Sequence, residues 1–163
     1  MVPERVRIIG GANGFTMTEL VVAVALLGII AAVSIPSLWT HIRTASLRAG
    51  AEEMVAVLNG ARHLAIGMST TVCVTNDGTH AQYRVGACGA TPWTGESTDA
   101  DGNIRLANRL RVSGASHLCF NHLGAGSAAP APCMANGTLT VTDPTGGAAV
   151  NVIMATTGRV RIQ

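Results

Sequence analysis

From Phe15 to Leu38 apolar residues occupy every side of a helical wheel, and between Leu20 and Ile35 there is no charge at all. A run of this length has neither the period of a strand nor a polar face, so it predicts a helix with apolar surroundings. At about 1.5 Å per residue, a helix over 15–38 is roughly 36 Å long, enough to cross a bilayer. Beyond Pro36 the pattern becomes one-sided. Ile42, Ala45, Leu47, Ala51, Met54, Val55, Leu58, Ala61, Ala65 and Met68 recur mostly at steps of three and four, with Arg43, Arg48, Glu52, Glu53 and Arg62 largely elsewhere. The helix is therefore expected to continue to about Gly67, as one element of about 53 residues, roughly 80 Å long. Its second half alone has the single stripe on which a globular domain packs.

After Ser69 the period shortens to that of β-structure, broken by Gly, Asn, Asp and Pro. Thr71–Thr75 and Ala81–Val85 flank Asn76-Asp77-Gly78, a hairpin pattern. Ile104, Leu106, Leu110 and Val112 alternate with Arg105, Arg109 and Arg111, which predicts one half-buried strand with arginines on its outer face. Further strands are expected at His117–His122, Thr138–Thr142, Ala148–Ala155 and Arg159–Ile162. The predicted architecture is α+β: a long N-terminal helix, transmembrane in its first half and amphipathic in its second, packed on a small antiparallel β-sheet domain. The segments are 1–14, a polar leader; 15–38, the apolar helix; 39–68, its amphipathic continuation; and 69–163, the β-rich domain.

Composition adds three limits. The chain has 163 residues and a formal charge of +2, too little for nucleic-acid binding by bulk electrostatics. Its 11 basic residues are all arginine, so each cation can hold a carboxylate or phosphate with two hydrogen bonds. Cys73, Cys88, Cys119 and Cys133 all follow the apolar helix and read as disulfides of an exported domain. Local pairing joins Cys73 to Cys88 and Cys119 to Cys133, with the other two connectivities left open. The spacings match neither a C-x-x-C pair nor a zinc cluster, and no metal or cofactor is expected. Glu96, Asp99 and Asp101 lack the order of a calcium loop and read as a solvated turn. His41, His63, His80, His117 and His122 are scattered, and no serine stands in a nucleophile elbow, so no catalysis is expected.

The oddity is Glu19, a carboxylate at the head of an apolar helix, where burial of a charge is costly. A cut between Gly14 and Phe15 would supply a partner: the new α-amino group of Phe15 lies one turn away, at i, i+4. The same amine could meet Glu19 of a neighbouring copy. Gly14, Phe15, Thr16, Glu19, the apolar run and Pro36 together resemble the class III signal of type IV pilins and type II secretion pseudopilins. The resemblance implies a prepilin peptidase that cuts after Gly14 and methylates Phe15, and docking of Glu19 against other pilins or pseudopilins in a helical filament. It implies a single-pass bacterial inner-membrane protein with a periplasmic domain, received by an inner-membrane assembly platform.

The later part of the chain narrows the resemblance. The run T-V-C-V at 71–74, Trp93-Thr94-Gly95, Cys119-Phe120-Asn121 with Gly124, Gly137-Thr138-Leu139 and Gly158-Arg159-Val160-Arg161 are together similar to the GspH/FimT family of minor pilins and pseudopilins. Trp93 departs from the family's W-x-x-G-W, because Gly95 is followed by Glu96. In that family Gly-Arg-x-Arg is implicated in DNA binding during natural transformation, which implies DNA contacts for Arg159 and Arg161. Two arginines two apart on a strand share a face. With Arg105, Arg109 and Arg111 on a nearby face, five arginines would form one basic surface. Two readings follow: a minor pilin that assists filament assembly and DNA capture, or a minor pseudopilin of a type II secretion system that binds no DNA.

Overall fold

A computed structural model describes residues 14–95, 97–106, 110–144 and 147–163, leaving aside the side chains at 33, 36 and 37. The leader arginines Arg5 and Arg7, together with Glu96 and Arg109, lie outside the described residues. One helix, α1, covers Met17–Gly67 and continues through position 36. The chain divides into two units, 1–40 and 41–163.

In the first unit the large apolar side chains stay exposed on all sides of the helix: Leu20 is 56% accessible, Leu27 64% and Ile30 61%. Among the described residues no helix is long and apolar enough to cross a membrane. The crossing expected over 15–38 is therefore not a finding of the structure.

The second unit is an α+β domain with two four-stranded antiparallel sheets. The first is ordered β3-β2-β1-β5, from β1 (Val72–Asn76), β2 (His80–Val85), β3 (Asn103–Arg105) and β5 (His117–Phe120). The second is ordered β4-β6-β7-β8, from β4 (Arg111–Gly114), β6 (Gly137–Thr142), β7 (Ala149–Met154) and β8 (Val160–Ile162). Leu47, Ala51, Met54, Leu58, Ala61 and Ala65 form the buried stripe of the helix. They join one core with Val74, Leu118 and Phe120 of the first sheet and Val141, Val152 and Met154 of the second. Small residues set the spacing on both sides. A Cβ on Gly50 would meet Leu110 and Val141, whereas one on Gly60 would meet the Tyr83 hydroxyl.

Backbone groups at the helix end are satisfied by a left-handed residue that is not glycine. Ser69 has φ 52°, the Thr70 N–H donates to Ala65 O and the Ser69 N–H to Ile66 O. These are the paired bonds of a Schellman cap, placed two residues past Gly67. In the β1–β2 hairpin Gly78 takes φ 96°, and Asp77 Oδ1 accepts from the Thr79 and His80 N–H groups.

The single strand expected from Ile104 to Val112 is corrected to two. β3 pairs with β2, and β4 pairs with β6 in the other sheet. Leu106 and Leu110 are buried on the way. The described residues on either side of the crossing, Ile104 and Leu106 before it and Leu110 and Val112 after it, all stay on the core, so the spacing of apolar residues does not reveal the change of sheet.

Candidate functional site

The head of α1 is built as a capping box. Thr16 precedes the first helical residue, and its Oγ1 accepts from the Glu19 N–H at 3.3 Å. Glu19 Oε2 in return accepts from the Thr16 N–H at 3.1 Å and the Thr16 hydroxyl at 2.9 Å. Reciprocal bonds of this kind satisfy two of the backbone donors that a helix start leaves open. The partner of Glu19 within the chain is thus Thr16. Both bonds fall on Oε2, and a carboxylate carries a second oxygen for another donor. Phe15 stands next to the box, 81% exposed. The signal for this cap in the sequence is the spacing Thr16-x-x-Glu19 ahead of an apolar run.

The described arginines are spread over two sheets and do not form one compact cluster. Arg159 and Arg161 are exposed at β8, one edge of the second sheet. Arg111 lies on β4, the other edge, three strand spacings or about 14 Å across the sheet. Arg105 belongs to the first sheet and faces Asp99 at 3.9 Å. Of the five arginines expected on one surface, Arg109 lies outside the described residues and Arg105 belongs to the other sheet, whereas the strand register puts Arg111 on the same outer face of the second sheet as Arg161, at the opposite edge.

The turn before that pair joins two of the sequence motifs. Asn121 Oδ1 accepts from the Leu123 and Ala125 N–H groups, holding a loop in which Gly124 takes φ 77°. Gly158, also at φ 77°, lies so close that a Cβ would come 2.0 Å from the Gly124 carbonyl oxygen. The Gly126 N–H donates to Thr156 O across the same contact. Beside Gly124 stands Arg62 of the helix, with Nε 2.8 Å from where a Cβ would be. Arg62 thus borders the Gly124–Gly158 contact that carries Arg159. Helical periodicity alone could not show this.

Of the acidic residues in the 88–102 loop, Asp99 and Asp101 lie in a turn. Asp99 accepts from the Asn103 and Asp101 N–H groups, and the Asn103 bond leads in holding its carboxyl below the ordinary value. Histidine contacts are local: His80 Nδ1 lies 3.4 Å from Asp77 Oδ2, and His117 Nδ1 lies 2.7 Å from the Ser116 hydroxyl. Among the described residues, the side chains able to hold a metal that converge in three or more are the four cysteines. They are joined Cys73–Cys88 and Cys119–Cys133.

The prokaryotic N-terminal methylation motif matches residues 10–35, which span the leader's end, Gly14, Phe15, the capping box and the apolar run. No curated protein matches the chain. Among solved structures the fold is similar to the type IV minor pilin FimU of Pseudomonas aeruginosa strain PAO1. In its P21 crystal form the identity is 21% and the TM-score 0.54, over 74% of this chain and 90% of that one. In the P65 form the identity is 16% and the TM-score 0.50, over 72% and 92%. The chain thus carries a prokaryotic N-terminal methylation motif and has a fold similar to that of a type IV minor pilin.

Proposed function

We propose that this protein is a non-catalytic minor subunit of a type IV pilus filament. The observation that carries this reading is the N-terminal unit: a methylation motif whose capped helix exposes apolar side chains on every side. Such a surface needs lipid or other apolar helices around it. On this reading a prepilin peptidase cuts between Gly14 and Phe15 and methylates Phe15. The helix holds the precursor in the bacterial inner membrane, with residues 69–163 in the periplasm, until an assembly platform passes it into the filament. The membrane step rests on the uncharged run from Leu20 to Ile35.

Glu19 has two roles to separate, capping its own helix and docking a neighbour. Glutamine at this position keeps a capping box but removes the charge. Intact-mass measurement on cells with the peptidase should show loss of residues 1–14 and gain of one methyl group in wild type, Glu19→Gln and Glu19→Ala alike. Recovery in sheared filaments should fall in both variants. Normal recovery of Glu19→Gln beside reduced recovery of Glu19→Ala would leave Glu19 only its cap.

The exposed pair Arg159 and Arg161 favours a second role, in DNA capture. Two guanidiniums on one face hold adjacent phosphates, with weak and salt-sensitive affinity. Arg159→Ala/Arg161→Ala should lose gel retardation of DNA with the fold intact, and unchanged retardation would remove this role.

A further inference from the structure

The face of the first sheet turned away from the helix carries a small second core made only of cysteines, all four buried. Cys73 on β1 and Cys119 on β5 sit directly opposite each other in the antiparallel ladder, on one face. The loops after β2 and β5 bring Cys88 and Cys133 over them. All four sulfurs lie within 4.8 Å of one another. Between the two disulfides, Cys88 Sγ is 3.3 Å from Cys119 Sγ and 3.4 Å from Cys133 Sγ.

As they stand these separations are those of two packed disulfides, and only after reduction can the sulfurs of each pair part to the spacing of a metal site. A tetrahedral zinc ion with Zn–S bonds of about 2.3 Å needs its sulfurs about 3.8 Å apart. The contacts between the two disulfides, at 3.3 and 3.4 Å, come near that spacing, and reduction frees the sulfurs within each pair to open toward it. Four thiolates around Zn²⁺ leave a net double negative charge, and a cation stands in the same row of the sheet. Arg84 pairs with Cys73, which pairs with Cys119. The Arg84 guanidinium is held by the Thr75 hydroxyl, the Gln82 side-chain oxygen and the Ala90 carbonyl.

We propose that the cysteine cage is a redox-gated zinc site, closed to metal as two disulfides and open to one Zn²⁺ when reduced. Each disulfide takes two electrons and two protons from a dithiol, which leaves as its own disulfide. Zn²⁺ then displaces the four thiol protons and binds all four sulfurs. Either state ties the same two loops to β1 and β5, so the domain keeps its shape in both.

The test uses the full chain in detergent, reduced with a dithiol that is then removed without oxygen, and titrated with Co²⁺. One Co²⁺ per chain is expected, with the visible bands of tetrahedral cobalt and a near-ultraviolet sulfur-to-metal band, both lost on adding Zn²⁺. The oxidised chain and the reduced Cys88→Ser/Cys133→Ser variant should lack these bands. Circular dichroism reports whether the reduced chain keeps its fold or regains it with metal, and either outcome beside the bands supports the site. Reduced chain without sulfur-to-metal absorption would overturn the proposal, as would equal bands in the double variant or in the oxidised chain.

Discussion

The two halves of α1 use the same kind of residue in opposite ways. In the first unit Leu27 is 64% exposed, and its apolar neighbours point in all directions. In the second, Leu58 is fully buried in a stripe that repeats at steps of three and four. A helix apolar on one stripe completes its core inside its own chain, whereas one apolar all round depends on what surrounds it. The stability of residues 41–163 and the fate of the N-terminal unit should therefore respond to different substitutions.

A pair of changes tests this separation most strongly. Leu58→Ala removes a core side chain and should cost about 2–5 kcal/mol, lowering the thermal midpoint while the protein stays in the membrane fraction. Leu27→Lys should leave that midpoint unchanged. It places a charge in the apolar run at a cost of about 2.5–3.5 kcal/mol on insertion scales, and should move protein out of the membrane fraction and out of filaments. Parallel loss of both properties in either variant would break the comparison.

Gly158, buried in the turn before β8, tests the same separation with a smaller effect. Its positive φ and its closeness to the Gly124 carbonyl leave no room for a side chain, and the obstacle is backbone, which yields little. Gly158→Ala should destabilise residues 41–163 by about 1–3 kcal/mol in urea unfolding, with membrane retention unchanged. Arg159→Ala, one residue on and exposed, should stay within about 0.5 kcal/mol of wild type. In Gly-Arg-x-Arg the glycine would then serve the fold, to which Arg159 contributes little.

What was legible in the sequence was local. The apolar run, the stripe ending near Gly67 and the hairpin around Gly78 each follow from neighbouring residues, and the α+β arrangement observed is the one they imply. The break between β3 and β4 was hidden because Leu106 and Leu110 keep the alternation of a single strand in either sheet. The scattering of Arg105, Arg111 and Arg161 follows from strand order, to which residue spacing is blind. Four sulfurs converge because Cys73 is in register with Cys119, a pairing set by the whole sheet. The spacings of 15 and 14 residues inside each disulfide carry no trace of it.

Tyr83 gives a small effect and the sharpest localisation. Its hydroxyl donates to the Val57 carbonyl at 2.8 Å, through the gap that Gly60 leaves on the helix. Burial pushes the phenol from an ordinary 10.0 up to about 12. The folded state thus favours the protonated form, so this contribution is fully present below about pH 10 and is lost as pH rises through about 12. Tyr83→Phe removes the bond but keeps the ring beside Trp93, 6.1 Å away, and should cost about 1 kcal/mol at neutral pH. Urea unfolding of both proteins between pH 8 and pH 12 should show wild type losing its advantage on the alkaline side. A constant difference across that range would mean that the hydroxyl is not held as described. Membrane retention should be the same for both at neutral pH, because Tyr83 lies wholly within the unit that completes its own core.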